Sequence, residues 1–96
     1  MHTNSRGAIR KQENSQLLIT SPDGSGDWFT EQTVTRDISE TGISFYLDNQ
    51  VWLDTHLIIT IASSSLFGPL HRATARVVRI QVDSTGKRLV AARFDH

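Results

Sequence analysis

The chain has no cysteine, so disulfides and thiolate metal sites are excluded. It has only two prolines and few aromatic residues, at 7%. Neither charge sign dominates: lysine and arginine together number ten, as do aspartate and glutamate. That balance argues against a general binder of long nucleic acid, which needs a strongly basic face. It leaves room for a local arginine cluster. No apolar run approaches the length of a membrane span, and the polar N-terminus lacks the apolar core of a signal peptide. Catalytic patterns are also missing. There is no nucleophile elbow, no Walker-type glycine loop and no dinucleotide fingerprint. Ser39, beside Asp37, has no histidine at hand to activate it. The four histidines are scattered, none at metal-ligand spacing with a carboxylate, so neither an enzyme nor a metal site is expected.

What is present is enough for one small domain: 96 residues, 38% of them apolar. Residues 1–16 are polar and show no apolar period. They read as a flexible N-terminal arm leading into a barrel over residues 17–96. Six stretches read as strands: Leu17 to Thr20, Trp28 to Ser39, Ile43 to Leu47, His56 to Ala62, His71 to Val82 and Leu89 to Phe94. Ile43, Phe45 and Leu47 should face inward, as should Leu57, Ile59 and Ile61. Ser21 to Asp27 and Asp83 to Arg88 carry strong turn chemistry. In the fifth strand Ala73, Ala75 and Val77 alternate one way, then Val78, Ile80 and Val82 the other. That change of parity predicts a bulge or bend at Val77-Val78. Six strands without a helix predict an all-β, six-stranded antiparallel barrel.

Trp28, Phe29 and Trp52 read as packing residues rather than stacking platforms for a base. Leu66, Phe67 and Leu70 form the largest apolar group in any loop, a patch that tucks under the barrel or contacts another domain. His56 and His71 would approach each other if their strands formed a hairpin. The close of the chain at Phe94-Asp95-His96 leaves room for a neighbouring domain or a helix.

One stretch stands apart. Asp37-Ile38-Ser39-Glu40-Thr41-Gly42 reads as a strand end and the turn into the next strand. If Ile38 faces the core, Asp37 and Ser39 face outward together, giving a carboxylate and a hydroxyl beside a glycine. Arg36 then points away from Asp37. Gly42 offers freedom for a sharp turn and lets another molecule approach the backbone. Upstream, Arg6 and Arg10 sit four apart on the polar arm. Taken alone they read as solvated charges. Lys11 beside them lacks arginine's forked donor.

Arg6-x-x-x-Arg10 followed by Asp37-x-Ser39-x-x-Gly42 resembles the two-part signature of PilZ domains, which bind the bacterial messenger cyclic di-GMP. The resemblance extends over nearly the whole chain, since the order of strands and turns also fits. Ile43 stands where many relatives carry a second glycine. The resemblance implies a six-stranded antiparallel barrel with the arginine arm ahead of its first strand. It also implies a cytoplasmic regulatory or adaptor module, with cyclic di-GMP as ligand and no other cofactor. Arg6 and Arg10 would hold bases and phosphates, Asp37 and Ser39 would read a guanine edge, and Gly42 would leave space. Arg76, Arg79 and Arg93 are further candidates from the later strands. A downstream protein or neighbouring domain would receive the signal. The alternative is a PilZ-like barrel that contacts proteins and binds no nucleotide, with the Leu66-Phe67-Leu70 patch as its contact.

Overall fold

Alternating apolar residues flanked by glycine- and aspartate-rich turns favour half-buried strands that each need a neighbour on both sides. The computed structural model of the chain, which describes residues 15–61 and 71–95, satisfies that need by closing a barrel. Its strands are β1 Gln16–Pro22, β2 Trp28–Ile38, β3 Gly42–Leu47, β4 His56–Ile61, β5 His71–Val82 and β6 Arg88–Phe94. Every pairing is antiparallel, in the order β1-β2-β3-β6-β5-β4, with β4 returning to β1. Among the described strands, closure leaves no edge strand for pairing with another chain.

The barrel interior is filled from five of the six strands. Leu17 and Ile19 come from β1, Phe45 and Leu47 from β3, Leu57 and Ile59 from β4, Val77 from β5 and Val90 from β6, all essentially inaccessible to water. Burying an aliphatic side chain of this size contributes about 1.5–3 kcal/mol. Ala75 and Ala92 are the small partners in the same core cluster as the Phe45 ring. Val51, from the β3–β4 connection, is buried in that cluster as well.

β2 is the exception. Phe29 and Ile38 pack against the core near its two ends, and between them its inward side carries threonines that hydrogen bonds satisfy. Thr35 Oγ1 donates to the Ser15 carbonyl (3.2 Å), and Thr33 Oγ1 donates to the Tyr46 carbonyl (2.8 Å). The Thr35 N–H also donates to the Ser15 carbonyl at 2.9 Å, so the chain enters β1 alongside Thr35.

Several sequence expectations meet the structure differently. Phe29 packs against the core, but Trp28 is 57% exposed because it falls on the outer parity of β2. Trp52 stays partly exposed while its ring lies over the β1–β2 turn. A Cβ placed on Gly24, whose φ is +87°, would meet the Trp52 ring at 2.9 Å. His56 pairs with Arg76 and His71 with Ile61, so the two histidines stand at opposite ends of the β4–β5 ladder. His56 instead contacts Asp95, at 3.3 Å. Leu66, Phe67 and Leu70 lie outside the described residues.

Candidate functional site

Two irregularities shape the outer face of the barrel. In β2 the register shifts between Thr35 and Asp37 against β3; in β5 it shifts between Val77 and Arg79 against β6. A bulge of this kind sets two residues against one and turns consecutive side chains to the same side. In β5 the parity change had marked the position. Val77 is buried inside, Val78 and Arg79 are both exposed outside, and Ile80 returns to the core.

In β2 the bulge falls at Arg36 and corrects the expected alternation. Thr35 points in, Arg36 and Asp37 share the outer side, and Ile38 returns inward. Arg36 therefore lies beside Asp37 rather than away from it, with a guanidinium-to-carboxylate distance of 3.5 Å.

The ladder registers place the two bulges in one row. Asp37 pairs with Ser44, Ser44 with Ala91, and Ala91 with Arg79. The middle of the row is small and its two ends are charged with opposite sign. The result is a groove of about 500 Å³ on the outside of the barrel. Asp37, Ser39 and Thr41 line one side, Val78, Arg79 and Arg93 the other, and Gly42, Ser44 and Ala91 are among the floor residues.

The acidic side is built firmly. Asp37 is only 8% exposed and accepts a hydrogen bond from Ser44 Oγ at 3.0 Å. Ser39 organises the turn that follows. Its Oγ accepts from the N–H groups of Thr41 and Gly42, both at 3.3 Å, and its N–H donates to the Gly42 carbonyl at 2.8 Å. This hydroxyl is a turn former first, through the local side-chain-to-backbone bonding that serine favours. Gly42 also has a packing reason to be glycine. It does not occupy the left-handed region, yet a Cβ there would lie 2.7 Å from the Ala92 carbonyl oxygen on β6.

The basic side is open. Neither Arg79 nor Arg93 makes an ion pair or side-chain hydrogen bond among the described residues. Other arginines are engaged: Arg76 with Asp54 at 3.2 Å, and Arg88 with the Asp48 carbonyl at 2.7 Å. Arg93 pairs with Gly42 across the β3–β6 ladder, where no side chain obstructs it.

Of the residues singled out in the sequence, the groove brings together Asp37, Ser39, Gly42, Arg79 and Arg93. Arg76 does not line it. Arg6 and Arg10 lie outside the described residues. Sequence reasoning missed Ser44, Thr41, Ala91 and Val78 as lining residues. Ser44 and Ala91 carry no chemical signal of their own and are found only through the cross-strand row. Among the described residues, no group of three or more histidine or acidic side chains could hold a metal ion.

Comparison with known proteins places this geometry in context. The family model described as PilZ domain matches residues 4–96. No curated protein matches. Among solved structures, the chain is similar to the Bacillus subtilis inhibitor of motility MotI/DgrA, with a TM-score of 0.75 at 18% identity. That match covers 98% of this chain and 44% of the other, so this chain spans less than half of that protein. It is also similar to the PilZ domain of YcgR from Escherichia coli, solved with c-di-GMP. There the TM-score is 0.61 at 14% identity, covering 95% of this chain and 78% of the other.

Proposed function

This chain belongs to the PilZ domain family, and from that premise we propose that it is a receptor for cyclic di-GMP that works as a regulatory module rather than as an enzyme. The observation that carries the reading is the groove itself. A buried carboxylate at Asp37 faces Arg79 and Arg93, two arginines uncommitted among the described residues, over a floor of small residues.

Guanine presents N–H donors along one edge, which a carboxylate accepts, and O6 and N7 acceptors along another, which suit an arginine fork. Phosphate oxygens suit arginine equally. The ligand of the Escherichia coli relative has these parts. The partial wrapping of Asp37 by Ser44 and Arg36 fixes where the carboxylate points before any ligand arrives.

Arg6 and Arg10 complete the site in this reading. The described chain begins at Ser15, tied to Thr35 two residues from Asp37. Five residues of extended chain reach about 17 Å, so Arg10 is within range of the groove. Closure of the N-terminal segment over the ligand would change the surface the domain offers to a downstream protein or neighbouring domain.

Calorimetric titration of cyclic di-GMP into the parent domain and into Arg10→Ala tests this. Binding in the parent, weakened at least tenfold in the variant, is the expected result. No heat from a folded parent overturns the receptor reading. It would favour the second reading, a nucleotide-free interaction module, which the exposure of Trp28 and Leu53 also suits.

A further inference from the structure

The groove accounts for one end of β2 and leaves the other end of the barrel unexplained. We infer that this other end, around Trp28, Trp52 and Leu53, docks a partner protein through a segment that presents apolar and basic side chains together. The inference does not depend on whether the chain binds a nucleotide.

Three observations carry it. The first is a fixed display. Residues 52–55 form a tight turn closed by the Thr55 N–H, which donates to the Trp52 carbonyl at 3.2 Å. Two further bonds tie that turn to β5: the Asp54 N–H donates to the Val77 carbonyl at 2.8 Å, and the Val77 N–H donates to the Thr55 carbonyl at 2.9 Å. Val51, just before the turn, is buried in the core. Asp54 takes a left-handed conformation, with φ of 69°, which a non-glycine residue adopts at a cost. The turn is held in place on both sides, and it holds Leu53 outward, 59% exposed.

The second is the pair of tryptophans, the only two in the chain. Both belong to this end. Trp28 closes the β1–β2 turn opposite Pro22, and the Trp52 ring lies over Gly24 in the same turn. Both remain exposed. Tryptophan is a frequent energetic anchor of protein interfaces, and its ring face is the best aromatic partner for a lysine or arginine cation.

The third is charge. The connections that carry this surface, residues 23–27 and 48–55, contain Asp23, Asp27, Asp48 and Asp54 and no lysine or arginine. Arg76 answers Asp54 at 3.2 Å, whereas the other three have no ion-pair partner among the described residues. Carboxylates beside exposed indole rings favour a cationic segment, which gains ionic attraction and cation–π contact together. The same field repels an anionic membrane surface. Two copies meeting through this patch would place like charges face to face. Trp28 and Asp37 stand near opposite ends of β2, about 30 Å apart along the strand, so a partner here leaves the groove accessible.

With both tryptophans on this surface, intrinsic fluorescence reports on it alone. The probe is an amphipathic helical peptide of leucine, lysine and arginine. Its counterpart with glutamate at every basic position is the second arm, and phosphatidylglycerol vesicles are the third. The parent is expected to bind the basic peptide with a change in tryptophan emission and to respond to neither of the others. Trp28 is exposed, so Trp28→Ala should keep the fold, which circular dichroism checks, and should weaken binding tenfold or more, roughly the effect of losing one aromatic anchor. Asp27→Asn should weaken it by about threefold, the effect of one exposed ion pair. Glu40→Gln removes an exposed carboxylate at the far end of the barrel and should match the parent.

A parent that does not respond to the basic peptide overturns the inference, as does an equal response to the acidic one. Trp28→Ala within twofold of the parent, or equal losses in Asp27→Asn and Glu40→Gln, overturns it too. Binding to the vesicles would assign this end to a membrane surface instead. Self-association of the parent in sedimentation, abolished by Trp28→Ala, would make a second copy the occupant and equally overturn a basic partner. None of these outcomes alters the nucleotide titration.

Discussion

Replacing Gly42 with alanine pits two effects of opposite sign against each other. Alanine restricts the unfolded chain, which alone would stabilise the fold by about 0.4–1 kcal/mol. Against this, the new Cβ would lie 2.7 Å from the Ala92 carbonyl oxygen. A relaxed carbon-to-oxygen contact begins at about 3.3 Å, so the strands must separate by roughly 0.6 Å. Both groups are backbone, so no flexible side-chain tip can move aside. The flanks are pinned: Ser39 N–H donates to the Gly42 carbonyl at 2.8 Å, and Phe94 N–H donates to the Thr41 carbonyl at 2.9 Å. The neighbouring pair, Ile43 and Ala92, is buried in the core. Overpacking of this kind costs about 1–3 kcal/mol. The steric term wins, leaving Gly42→Ala destabilised by about 1–2 kcal/mol. For a domain of this size that lowers the melting temperature by roughly 4–8 °C per kcal/mol. Urea unfolding at constant m-value and a thermal melt would read it. A variant as stable as the parent, or more so, refutes the reasoning, because it would show that β3 and β6 separate freely at this point. A loss of nucleotide binding in this variant would report a distorted groove floor as well as a lost approach path.

Glu31 clasps the β3–β4 connection, accepting from the Asp48 N–H at 2.7 Å, the Asn49 N–H at 3.0 Å and the Asn49 side-chain amide at 2.7 Å. Glu31→Ala should destabilise by about 1–3 kcal/mol in urea unfolding, since three donors lose a charged acceptor; an unchanged midpoint would mean that water replaces the carboxylate without loss. Asp83 holds the β5–β6 turn, and the hydrogen bonds from the Thr85 hydroxyl, then from the Thr85 and Lys87 N–H groups, keep its carboxyl below the ordinary 3.8. A carboxylate lowered on folding contributes stability that is present above its unfolded value and lost as the pH falls through the lower folded value. Asp83→Asn should therefore melt below the parent at neutral pH, and the gap should close in acid below that range; thermal melts across pH in which the gap stays constant would show that charge plays no part.

The strands and the β5 bulge were legible because apolar residues report their own parity. Val77 and Ile80 both need the core and are three apart, which a regular strand cannot satisfy, so the extra residue between them shows in the sequence. The β2 bulge is the same device and was invisible. The inward side of β2 carries Glu31, Thr33 and Thr35, while Val34 is 41% exposed on the outer side. Phe29 also packs inward at the far end of the strand, but between it and Ile38 the inner positions are polar and an apolar one lies outside, so hydrophobic parity has little to count where the bulge falls. Near the bulge, Ile38 alone marked the inner face. It placed Asp37 outward, since no irregularity lies between those two, and it misplaced Arg36 because the bulge comes one step earlier. The inward threonines stand there because backbone carbonyls at Ser15 and Tyr46 accept their hydroxyl protons, and those partners are distant in sequence. Composition could not show that pairing. The acidic end of the groove was therefore recognisable by motif while its geometry depended on long-range hydrogen bonds, and the opposite wall was recognisable by parity while its chemistry depended on which arginines other residues had already engaged. The two bulges each turn a charged residue outward, of opposite sign, onto one row whose middle positions are small. That row is the physical content of the site. It predicts that changes to the floor, such as Ala91→Leu, block the groove without touching either charge. A folded Ala91→Leu variant should lose ligand binding in calorimetry while Asp37 and Arg79 remain in place, and unimpaired binding would mean that the ligand sits elsewhere on the barrel.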